Sequence, residues 1–136
     1  MQITSRQAQV LIESAEAKAR ELGLAVIVAV VDDASHLKAF HRMDGAVLGS
    51  IDIATRKART SALFQCNSED VWEYCKPGAP APSLELTNGG LAPYAGGISL
   101  KLSDGTFVGA VGVSGGTIDQ DTQIARAALS AFRAMR

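Results

Sequence analysis

The run Leu24 to Asp32, LAVIVAVVD, constrains the fold more than any other feature. It is continuous, β-branched and only nine residues long, with a glycine just ahead and the turn residues DDAS closing it. Such a run predicts a central strand covered on both faces, because an alternating pattern suffices when one face meets water. It is far short of the ~18 apolar residues of a membrane-spanning helix. A buried strand needs neighbours in its sheet and cover above and below. The rest of the chain reads as supplying both.

A capping box at Thr4 and Gln7 opens helix one, about 4–22, whose stripe runs Ala8, Leu11, Ile12, Ala15, Ala19 and Leu22; Gly23 is a natural stop. The central strand, 24–32, turns through DDAS into a partner strand, 36–43. Val47, Ile51, Ala54, Ala58 and Ala62 predict helix two over about 46–65. A short helix after Ser68, a proline-rich loop (KPGAPAP), a turn or short helix at 83–87 and a turn at Asn88-Gly89-Gly90 follow. An extended piece from Leu91 then precedes a hairpin of strands 98–102 and 107–114, joined through SDGT. A second capping box, Thr117 with Gln120, opens the last helix, about 118–135. The order is α-β-β-α-(α)-β-β-β-α. Adjacent hairpins imply an antiparallel sheet with helices packed on it, an α+β fold in one domain. A doubly wound nucleotide fold is not indicated.

Thirteen basic against fourteen acidic residues give a net charge of −1, so nothing draws the chain to nucleic acid. The polar, helical N-terminus has no signal-peptide pattern, and the expected location is the cytoplasm. Cys66 and Cys75, nine apart, match no zinc, haem-attachment or redox motif and are expected to be reduced.

Two histidines five apart, His36 and His41, fall on opposite faces of a regular strand, which argues against a multi-histidine metal site. A single histidine still suffices as a haem axial ligand, and His41 is the candidate, with Met43 beside it. Arg42 and Asp44 leave the strand into Gly45. They either build a site, with arginine gripping a carboxylate and aspartate orienting it or moving a proton, or form a corner in which Asp44 caps helix two. Lys57 sits at the boundary of the helix-two stripe. A solvated position is favoured over a pocket cation. Ser114, Gly115 and Gly116 join the last strand to the last helix. Backbone amides there suit an anion, although a tight turn explains the glycines equally well. Asp119 and Asp121 fit the helix macrodipole without a ligand.

The motifs RMDGA, TRKART, KPGAP, TNGG ahead of GGISL, and VGAVGVSGGTIDQD together resemble the GlcG/HbpS-like family, the haem-degrading domain family related to the PduO C-terminal domain. The resemblance covers nearly the whole chain. It implies a profilin-like α/β sandwich, with a five-stranded antiparallel sheet and helices on both faces. It also implies homo-oligomers, from dimers to octamers. Arg42, Asp44, Gly45, Lys57, Gly97, Ser114, Gly115, Gly116 and Asp121 match the family motif, with His41, Met43, Asn88 and Gly96 as further ligand contacts. Some haem-binding members carry a histidine in or near the first helix. Residues 4–22 contain none.

Three functions follow as expectations. The first is a small-molecule binder taking haem, a related tetrapyrrole or a carboxylated metabolite in an interface cleft. The second is an isomerase or lyase acting on a small carboxylated catabolite, with Arg42 and Lys57 holding the carboxylate and Asp44 moving a proton. The third is an assembly module without a ligand.

Overall fold

A computed structural model describes residues 1–135. Helix α1 spans Ser5–Glu21, strands β1 and β2 span Ile27–Asp32 and Leu37–Arg42, and helices α2 and α3 span Ser50–Phe64 and Ser68–Cys75. A 3-10 turn at Leu84–Leu86 leads to β3 (Gly97–Lys101), β4 (Phe107–Ser114) and α4 (Ile118–Ala134). The described strands form a single antiparallel sheet in the order β2-β1-β4-β3.

Every residue of β1 is buried, as a strand with cover on both faces must be. On one face, Val28, Val30, Val111 and Val113 pack against Leu11, Ala15, Ile124 and Ala128 of α1 and α4. On the other, Ile27, Ala29, Val31 and Ala110 meet Ala54, Ala58 and Ala62 of α2. The alanine stripe lets α2 lie close to the sheet. A Cβ built on Gly112 would come within 2.1 Å of the Ala54 carbonyl oxygen, and one on Gly97 within 2.4 Å of the Lys57 carbonyl oxygen. Both glycines are therefore matters of space.

Both capping boxes form. Thr4 and Thr117 each accept from the amide three residues on, and Gln7 and Gln120 reach back. Gly23 takes the left-handed conformation just past α1. Asp32 organises the β1–β2 turn, accepting from the amides of Ala34 at 2.8 Å and His36 at 3.0 Å.

Two expectations need correction. The described sheet has four strands, not five. The stretch from Leu91 bonds elsewhere: the Leu91 amide donates to the Glu85 carbonyl at 2.8 Å and the Ala92 amide to Thr60 Oγ1 at 3.0 Å, while Pro93 has no amide to give. Helix two begins at Ser50 rather than 46. Residues 46–49 are spent in turns, with the Ser50 amide on Val47 and the Ile51 amide on Leu48.

Candidate functional site

The predicted residues separate into two neighbourhoods. The first lies at the end of β2. Because Val28 is paired with His41, the imidazole lies on the α1 side of the sheet, whereas Arg42, paired with Ile27, lies on the α2 side. His41 Nε2 stands 3.3 Å from Glu16 Oε2, and Glu16 Oε1 is held by Arg20 at 3.1 Å. Glu16, Arg20, His41, Arg42, Met43 and Asp44 line an open depression of about 310 Å³. Arg42 and Asp44 are exposed there. Asp44 does not cap α2, whose N-cap is Gly49 without a side-chain bond. Met43 turns inward: it belongs to the core, and its sulfur accepts from the Val26 amide at 3.4 Å. That leaves His41, with a side chain 40% accessible, as the available nitrogen ligand of this group. His36 lies beyond the strand, beside Asp32.

The second neighbourhood is internal and surrounds Lys57. The solvated position favoured from sequence is wrong, for the side chain is 1% exposed. Its ammonium donates to Asp121 Oδ2 and to the Val113 carbonyl, each at 2.9 Å, and lies 5.4 Å from the centroid of the Tyr94 ring. Burial pushes the amine below its ordinary value, and Asp121 acts in the opposite direction. A long cation fits because Gly96 leaves room: a Cβ there would fall 2.7 Å from Lys57 Nζ. Gly96 has φ +124°, which glycine adopts without strain.

The same pair settles the glycine bend after β4. Asp121 does more than complement the macrodipole. It is buried, and its Oδ1 accepts from the Gly116 amide at 2.8 Å. The carboxylate that occupies the bend is thus the chain's own. Ser114 points the other way and donates to Ser50 Oγ at 3.0 Å, tying β4 to the start of α2. Gly115 packs against Ala25 and Val26.

Asn88 belongs to neither group. It is exposed at φ +55°, and its carbonyl accepts from Arg59 at 2.8 Å, while Arg56 holds Gly89. The fold therefore places Arg42 and Asp44 in one depression and Lys57 in the core, so no single carboxylate is clasped by Arg42 and Lys57 together.

Glu16 and Arg20 were missed from sequence. Their spacing of four on α1 signals an ion pair, yet nothing local says that the pair faces a histidine on a strand. Among the described residues, no three or more His, Cys, Asp or Glu side chains cluster as a metal site, and no helix is long and apolar enough to cross a membrane.

A protein from the dhaT-dhaS intergenic region of Citrobacter freundii, 15.0 kDa and uncharacterised, is 37% identical over 131 residues, spanning 96% of this chain and 92% of its own. The corrinoid adenosyltransferase PduO of Salmonella typhimurium is 32% identical over 123 residues; the match covers 90% of this chain and 36% of PduO. The crystal structure of a PduOC–haem complex superposes with a TM-score of 0.91 at 30% identity, covering 96% of this chain and 95% of that one. The family model described as haem-degrading protein HbpS-like matches residues 3–130, and the chain belongs to that family.

Proposed function

We propose that this chain is a small-molecule-binding protein whose ligand carries carboxylates, haem or a related tetrapyrrole being the first candidate, seated in the depression at the end of β2. One observation carries the reading: an accessible imidazole, His41, and the Arg20 guanidinium meet at Glu16, and Arg42 is a further exposed residue of the same hollow. Imidazole is an ordinary axial ligand for haem iron, and guanidinium is the natural partner of a propionate. Glu16 engages one ring nitrogen and leaves the other for iron. Bound haem would supply iron-centred ligand binding and electron exchange. The similarity to the haem-bound PduOC domain supports the same choice.

At about 310 Å³ the depression is at the lower end of small-molecule pockets. A second copy of the chain completes the wall in this reading, which makes the working form a homo-oligomer built from dimers.

Hemin titration tests the proposal. Stoichiometric addition is expected to produce a shifted Soret band that His41→Ala abolishes. Arg42→Ala should weaken binding about tenfold, as loss of one charge-assisted hydrogen bond does. An unshifted band, or a band that His41→Ala leaves unchanged, rejects haem at this place.

A further inference from the structure

A separate hollow of about 350 Å³ opens at Tyr94, whose ring centroid already has the Lys57 ammonium 5.4 Å away on its buried side. Trp72 of α3 and Tyr94, in the loop before β3, line it with rings that are 44% and 42% exposed. Ile118, from the first turn of α4, adds an apolar side that is 49% exposed, and Pro93 and Ala95 complete it. Tyr94 is anchored through its backbone, because Ser68 Oγ donates to the Tyr94 carbonyl at 2.6 Å and accepts from the Gly97 amide at 2.9 Å. The aromatic geometry is thus built by the fold.

Charge decides the occupant. Glu69 is the single ionisable carboxylate on the lining, and among the described residues no ion pair or side-chain hydrogen bond engages it. The nearest buried cation, Lys57, feels the charge of Glu69 but is bonded to Asp121 at 2.9 Å. The site therefore combines two aromatic residues with one carboxylate that has no direct ion-pair or hydrogen-bond partner among the described residues. Aromatic faces attract cations through their quadrupole, and a carboxylate adds a matching point charge. Anions are repelled by Glu69. A neutral apolar molecule would gain contact but forgo both electrostatic contributions.

We infer that the Glu69–Trp72–Tyr94 hollow is a binding site for a small organic cation of the alkylated ammonium class. It lies apart from the β2 depression and does not depend on haem binding.

The chain contains one tryptophan, so intrinsic fluorescence reports directly on this hollow. Choline and its uncharged isostere 3,3-dimethylbutan-1-ol are the probes, each titrated into the full chain, with amide and indole NMR shifts recorded in parallel. Choline is expected to change Trp72 emission saturably and to shift the Trp72 and Ala95 signals. The isostere should bind at least about tenfold more weakly, and Glu69→Gln should weaken choline by a similar factor while hemin binding stays unchanged. Glu69→Asp, which keeps the charge, should retain much of the affinity. Equal binding of choline and the isostere overturns the inference. So does an unaltered response in Glu69→Gln, or the absence of any saturable change.

Discussion

Lys57 shows how a single side chain can be misjudged from its neighbours. It follows Ala54 by three and precedes Ala58 by one, a spacing that admits it to the buried stripe. Lysines at such boundaries usually reach water, and the partner that reverses this choice, Asp121, is 64 residues away. No local pattern could announce the pair. Removing one member should leave the other charged and unpaired in the core, so Asp121→Ala is expected to cost about 3–5 kcal/mol in urea unfolding. The double variant Lys57→Met/Asp121→Asn, which keeps an acceptor for the Gly116 amide, should recover at least half of that. The pH dependence has a definite sign. The folded-state value lies below the ordinary 10.5 of the unfolded chain, so between the two the unfolded chain binds more protons. Stability contributed by this group therefore rises with pH across that window, and the burial penalty stands in full below it. Urea midpoints of the parent relative to Lys57→Met should widen as pH is raised from neutrality towards 10.5.

Secondary structure was legible where local chemistry decides it. Thr4 with Gln7 and Thr117 with Gln120 start their helices where the capping boxes predict, and the Asp-Gly turn returns β3 into β4. The errors fall where the backbone finds its partners at a distance. Leu91 and Ala92 read as a strand but bond to Glu85 and Thr60, and residues 46–49 read as helix but form turns. Contact between α2 and the sheet was only half legible. Ala54, Ala58 and Ala62 were visible as the stripe of a helix, but the matching Gly112 on β4 was visible only as part of a motif. Gly112→Ala places a methyl against the backbone of Ala54 and Ala58, neither of which is a flexible side-chain tip. The variant should lose about 1–3 kcal/mol, read as a lowered melting temperature with the helical circular dichroism retained below it.

At the scale of the whole molecule, the α+β layering followed from sequence, because a fully buried strand demands helices on both sides. Arg42 and Asp44 are lining residues of one depression, but the Ser114–Gly116 bend is not part of that lining, and its Gly116 amide donates to Asp121. Subunit assembly is an expectation of a different kind. Leu37 and Phe40 on edge strand β2, with Val47 and Leu48 in the turns after it, are exposed apolar side chains. Leu37 and Phe40 pair with Val31 and Ala29, so this apolar surface is on the α2 side of the sheet, where a second copy would cover it. Sedimentation velocity should find an oligomer, and Phe40→Glu with Leu48→Glu should shift it towards monomer while the far-ultraviolet spectrum is preserved. An unchanged sedimentation coefficient in that variant would place the contact elsewhere.

The pairing of β1 with β4 has a kinetic consequence. Residues 27–32 lie against 109–114, about eighty positions later, so the middle of the sheet is joined by its most distant contact. During synthesis the first hairpin leaves the ribosome with one edge of its inner strand bare, and it stays so until residues 109–114 have emerged. Refolding from denaturant should accordingly be slow for a chain of this size, in the millisecond-to-second range of proteins ruled by non-local pairing.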